Sequence, residues 1–139
     1  MAARIGHALA AETEGALIGQ VRLTEAWVDA ATALVPAWVL SPLSVLPEHQ
    51  GNGIGSALVR AVLDLAADTT RPLVFLEGHP DFYPRFGFGR ASALGFLSPS
   101  LRIPDSEFQV ARLPGHEPWM IGTLIYPDTF WQYDSVGLR

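Results

Sequence analysis

Apolar and polar positions along the chain fall into short strand-like runs around one long helical stretch. From Gly53 to Ala67, the residues Ile54, Leu58, Ala61, Val62 and Leu65 recur on one face at helical spacing, while Ser56, Arg60 and Asp64 take the other. Thr69 to Pro72 ends that helix. Before it, Ala37–Leu46 reads as a buried strand interrupted by Pro42, where a missing N–H donor implies a bulge or an exposed edge. After it, Leu73–Leu76 is an all-apolar run of the kind that follows a crossover helix. Strand, glycine-rich turn, helix and strand in series make a βαβ-like unit, right-handed by rule.

The flanks read as further sheet. His7–Glu12 and Ala16–Glu25 form an antiparallel hairpin around Thr13-Glu14-Gly15, although Gly19 interrupts the alternation. Asp29–Leu34 is rich in alanine and reads as a connecting loop. Phe108–Leu113 and Gly122–Tyr126 are late strand candidates, and the tail carries Trp119, Tyr126, Phe130, Trp131 and Tyr133, expected to pack against the sheet. No linker or repeat divides the 139 residues, so a single domain spanning 1–139 is expected.

Composition narrows the chemistry. Hydrophobic residues make up 49% and charged residues 17%, which describes a folded globule; a net charge of −5 argues against a general nucleic-acid surface. Cysteine and lysine are both absent, so disulfides, thiolate metal sites, cysteine nucleophiles and lysine Schiff bases are excluded. His7, His49, His79 and His116 show no paired metal-ligand spacing, so no metal is expected. Neither a signal-peptide core nor a membrane span is evident, and a cytoplasmic location is the default.

The stretch LSVLPEHQGNGIG, Leu43 to Gly55, holds the strongest chemical signal. It sets bare backbone N–H groups at a helix N-terminus, which carries roughly half a positive charge and suits a phosphate-bearing ligand. A nucleoside-triphosphate loop needs a lysine before Ser56, and none exists. A dinucleotide fingerprint fits Gly51 and Gly53 but fails at Ser56, and no acid follows about twenty residues on. Gln50-x-x-Gly53-x-Gly55, with a strand before it and a helix after it, resembles the pyrophosphate loop of the GNAT superfamily of N-acetyltransferases. Tyr83-Pro84-Arg85-Phe86-Gly87-Phe88 matches a second motif of that family, Tyr-x-x-x-Gly-Phe, and the run LEGHPDFYPRFGFGRA resembles its small bacterial subgroup.

The resemblance implies an α/β fold with a central mixed, mostly antiparallel sheet and a βαβ unit around the loop. It implies acetyl-CoA as co-substrate and a small-molecule or protein amine as acceptor, attacked directly without an acyl-enzyme. Gln50, Gly51, Asn52, Gly53, Ile54, Gly55 and Ser56 would dock the pyrophosphate. Leu43, Ser44 and Val45 would pair with the pantetheine arm, with the Val45 N–H stabilising the oxyanion. Tyr83 would be the general acid. Glu77 and His79 are the candidates for the base, while Glu48 and His49 read as surface residues. The family's usual N-terminal strand and two helices have no counterpart before His7. That leaves open a start further upstream, or a shortened member completed by a second subunit as a homodimer. The alternative function is a non-catalytic acyl-CoA-binding or regulatory module with a degenerate acceptor site. A third reading is a structural subunit that completes a partner's sheet.

Overall fold

The computed structural model describes residues 6–132 and 136–137; Tyr133 of the aromatic tail lies outside them. Strands β1 (Gly6–Thr13), β2 (Ala16–Ala30) and β3 (Leu34–Val45) lead to helix α1 (Ile54–Ala67) and strand β4 (Leu73–Glu77). Strands β5 (Gly89–Arg90), β6 (Phe108–Arg112) and β7 (Gly122–Ile125) follow, then the short helix α2 (Asp128–Gln132). The sheet runs β1-β2-β3-β4-β6-β5, and β7 pairs with the end of β2. Among the ladders of the described residues, only β3 and β4 are parallel; the rest are antiparallel. This is the mixed, mostly antiparallel sheet expected from the resemblance, with α1 as its crossover.

Alternation sorts the strand residues onto two faces. Val39, Leu73, Phe75, Phe108 and Tyr126 belong to one core, where the Phe75 ring lies edge-on to Phe96 and stacks on Phe108. Val21, Leu40, Val74 and Leu76 belong to the other, which packs against α1. The helix buries Leu58, Val59, Val62 and Ala66. That face is turned from the expected one: Ala61 is exposed, and Val59, with more apolar area to bury, takes a place inside. Gly19 interrupts the alternation because a Cβ there would stand 3.1 Å from the Ser44 carbonyl oxygen and 3.2 Å from Leu58. Its bare backbone lets α1 seat close to β2. The loop expected over Asp29–Leu34 is shorter than that, since Asp29 and Leu34 pair across the ladder and leave Ala31 to Ala33 as the turn.

The Pro42 interruption is a bulge. Val21 faces Leu43 and Leu23 faces Leu40, so two steps of β2 oppose three of β3. Parallel pairing between β3 and β4 is confined to Trp38 with Val74 and Val39 with Phe75. Beyond it the strands part, β4 staying with β6 as far as Glu77 and β3 running with β2 as far as Val45. A gap therefore opens between two strands that are neighbours at their base.

Candidate active site

The glycine loop is built from local constraints. Pro47–His49 forms a single 3-10 turn, closed by the His49 N–H donating to the Leu46 carbonyl at 2.9 Å. Gly51 and Gly53 hold φ angles of 80° and 79°, which a side chain would strain, yet nothing lies within 4 Å of either Cβ position. Gly55 differs: a Cβ there would meet Phe82 and Val45 at 3.8 Å, so this glycine forms a floor between two walls. Gly53 caps α1 without any side-chain hydrogen bond, which leaves the first N–H groups of the helix unpaired among the described residues. The Gln50 side chain donates from Nε2 to the Val45 carbonyl at 2.9 Å and ties the loop to the end of β3.

These elements enclose a cleft of about 430 Å³. Leu43 and Val45 line one wall, and Gln50, Gly51, Gly53, Ile54, Gly55 and Ser56 line another. Ser44 and Asn52 do not line it; Ser44 faces a separate hollow with Gln20 and Pro47, because alternation turns it away from Leu43 and Val45. The third wall was not anticipated: Phe82 and Arg85 close the cleft from across the loop, and His49, read from sequence as a surface residue, lines it too. Arg85 lies inside the quoted motif, so a cation facing a phosphate loop was a usable signal. Among the described residues, no carboxylate lines this cleft. The Leu46 N–H donates to the Ile18 carbonyl, so alternation along the ladder turns the Val45 N–H to the opposite edge, towards the gap.

Tyr83 follows Phe82 in a 3-10 turn, Tyr83–Phe86, and is half-buried. Its ring meets Phe82 and Phe88 edge-on, at 4.9 and 5.8 Å between centroids. Burial raises the phenol above its ordinary pKa, so it stays protonated through the neutral range. The ring also rests on Gly78, where a Cβ would clash with Tyr83 Cε2. Gly78 is fixed in turn: its N–H donates to the Glu107 carbonyl at 2.9 Å, and its carbonyl accepts from Gln109 Nε2 at 3.0 Å.

Glu77 and His79 stand elsewhere. Glu77 lines a smaller cavity of about 230 Å³ with Val39, Ser41, Glu107, Tyr126 and Phe130, residues that border the other face of the sheet. Its carboxylate accepts the Tyr126 hydroxyl at 2.6 Å and the Gly137 N–H at 3.2 Å. Burial first, then the charge of and hydrogen bond to Glu77, raise the Tyr126 phenol far above its usual range. His79 is exposed, accepts the Asp81 N–H at Nδ1 and lines neither cavity. The three candidate catalytic side chains are thus not gathered at one point. Instead, a cleft carrying Arg85 and His49 and a cavity carrying Glu77 and Glu107 flank the opening between β3 and β4 from opposite faces. Among the described residues, no group of three or more histidine, cysteine, aspartate or glutamate side chains could hold a metal ion, and no helix is long and apolar enough to cross a membrane.

Comparison with known proteins settles what this loop and gap belong to. The acetyltransferase (GNAT) domain matches residues 4–90, from before β1 through the Tyr83 motif. The chain belongs to the GNAT acetyltransferase family. Among curated relatives, the uncharacterized N-acetyltransferase YjhQ of Escherichia coli K12 is 35% identical over 86 residues, 62% of this chain and 48% of that protein. The chain thus spans about half the length of that relative. Two solved GNAT structures are similar throughout. YhbS of Escherichia coli, in complex with CoA, has a TM-score of 0.78 and 27% identity, covering 94% of this chain and 71% of its own. A GNAT acetyltransferase of Brucella melitensis, in complex with acetyl-CoA, has a TM-score of 0.67 and 27% identity, covering 88% and 67%.

Proposed function

We propose that this GNAT domain transfers an acetyl group from acetyl-CoA to a primary amine of a small molecule or protein, by direct attack. The carrying observation is the pair of oppositely charged cavities on either side of the gap. The cationic cleft, with unpaired helix N–H groups at its floor, suits the phosphates of coenzyme A, and two solved relatives hold CoA and acetyl-CoA. The carboxylate cavity suits an ammonium acceptor. The thioester would lie in the gap beside the Val45 N–H.

In this reading the amine nitrogen, having given a proton to water, attacks the thioester carbonyl carbon. The new C–N bond forms while the carbonyl oxygen takes negative charge, stabilised by the Val45 N–H. The C–S bond then breaks, the sulfur takes a proton from Tyr83, and the attacking nitrogen releases its remaining extra proton to water. The products are an amide and free coenzyme A, and Tyr83 recovers its proton from solvent. A second reading, an acyl-CoA-binding module without turnover, is favoured by one observation: the Glu77 carboxylate is engaged by Tyr126 and Gly137, and His79 lies outside both cavities.

The test begins with thermal shifts. Donor at a hundred times its dissociation constant adds about 2.7 kcal/mol, roughly 5–10 °C for a domain of this size. Acetyl-CoA and CoA should shift the melting temperature and NADH should not; no shift with any of them removes the proposal. Turnover is then read as thiol release over a panel of amines, free of protein background because the chain has no cysteine. Tyr83→Phe should lower kcat about a hundredfold while leaving donor affinity unchanged. A binding module has no turnover to lose.

A further inference from the structure

We infer that Arg85 reads a phosphate group of the donor, gripping it from the side of the cleft opposite the glycine loop. The inference deepens the proposed acyl-CoA reading and rests on it. Three observations carry it.

The first is placement. Arg85 lines the cleft with the loop residues and with Phe82, and it faces the end of α1 where the N–H groups are unpaired. An anion between them would be held from two sides.

The second is preorganisation. The Arg85 Nε donates to the Phe82 carbonyl at 3.1 Å, and the guanidinium lies over the Phe82 ring at 5.0 Å and the Phe86 ring at 5.9 Å. One donor and one plane of the group are thereby fixed by its own 3-10 turn, and the terminal nitrogens have no partner among the described residues. A guanidinium held in this way loses little further freedom when it forms a two-pronged contact with a phosphate.

The third is charge. In a chain of net charge −5, Arg85 has no carboxylate partner among the described residues, and a second unpaired guanidinium, Arg60, stands over the same Phe86 ring at 5.1 Å. The two guanidiniums leave positive charge beside the cleft that no described carboxylate neutralises. A solvated surface arginine would need neither the fixed Nε nor the shared ring.

Coenzyme A offers two phosphate sources, the pyrophosphate and the 3′-phosphate, and one experiment separates them. Dissociation constants are measured by calorimetry for CoA, 3′-dephospho-CoA and pantetheine with the wild-type chain, Arg85→Met and Arg85→Lys. Met keeps an apolar stem over the rings without the charge. Arg85→Met should weaken CoA about tenfold or more. Lys should recover only part of that, since it cannot hold the Phe82 carbonyl and present a fork together. An equal loss for 3′-dephospho-CoA assigns the contact to the pyrophosphate; unchanged 3′-dephospho-CoA binding assigns it to the 3′-phosphate. The inference is overturned if Arg85→Met changes CoA affinity less than twofold, or if pantetheine weakens by the same factor, which would mark a loss of cleft shape. Failure of wild-type chain to bind CoA at all would instead remove the acyl-CoA reading itself. Arg85 is exposed, so neither variant removes core packing.

Discussion

The Gln109→Leu substitution tests whether the exit of β4 sets the position of Tyr83. Gln109 is 2% exposed, the one polar side chain among the buried described residues, and it stands on β6 opposite Leu76. Its Nε2 donates to the Gly78 carbonyl at 3.0 Å and reaches the His79 carbonyl at 3.5 Å. Leucine is somewhat larger and gives no donor. One net hydrogen bond, about 1 kcal/mol, is lost, and the stranded carbonyl adds roughly 1–2 kcal/mol. The gain in apolar burial offsets about 1 kcal/mol of this. The expected net loss is about 1–2 kcal/mol, or roughly 3–8 °C in melting temperature. Because Gly78 supports the Tyr83 ring, release of this turn should also displace the phenol and lower kcat about tenfold, with donor affinity unchanged. In a Tyr83→Phe background the kcat penalty should vanish while the stability loss remains. A melting temperature within about 1 °C of wild type, or the same fractional kcat loss in both backgrounds, refutes the reasoning.

Other expectations follow from the same geometry. Gly55→Ala places a methyl at ordinary contact distance from Phe82 and Val45, so its melting temperature should match wild type within about 2 °C while acetyl-CoA affinity, read by calorimetry, falls about tenfold as the floor rises. Arg71→Met removes a clamp that donates to the Ala26 and Ala37 carbonyls, pairs with Glu25 at 3.3 Å and covers the Trp38 ring. It should cost about 2–4 kcal/mol in urea unfolding with kcat unchanged, since it leaves a poorly exposed carboxylate and two carbonyls unpaired far from the cleft. Tyr83 and Tyr126 have raised pKa values in the folded chain, so their contribution to stability is fully present below the ordinary tyrosine pKa of about 10 and is lost as pH climbs above it. Tyr126→Phe should therefore flatten the decline of melting temperature between about pH 10 and 11, and an unchanged slope would contradict this.

The parts legible in the sequence are those fixed over short distances along the chain. Gln50 to Ser56 could be placed because glycine spacing, a preceding strand and an amphipathic helix are all local, and the bulge followed from one proline in an apolar run. The third wall was only partly legible: Arg85 stands inside the quoted motif, but it meets the loop only after β4 has returned the chain across the sheet. Ser44 shows a different limit: within a strand, parity decides which neighbours face the cleft, and the bulge at Ser41–Pro42 resets that parity. Glu77 shows a third. Its setting is made by Tyr126, 49 residues on, and by Gly137, 60 residues on, which no spacing rule connects to the end of β4.

The Glu77 contact bears on how an amine could lose its proton here. A carboxylate that accepts a phenol at 2.6 Å and a backbone N–H at 3.2 Å is held in a fixed orientation with part of its lone-pair capacity in use, which suits it to anchoring an ammonium. Tyr126, with its pKa driven upward by burial and then by that same carboxylate, does not ionise to serve instead. Glu107 lines the same cavity without an ion-pair partner among the described residues and adds a second negative charge. In the proposed reaction the cavity would gather a cationic amine, and the proton it releases would leave through water at the open side of the gap. On this argument Glu77→Gln should raise KM for a cationic amine more than it lowers kcat. A kcat loss of a hundredfold or more at unchanged KM, as expected for a general base, would return the proton to Glu77.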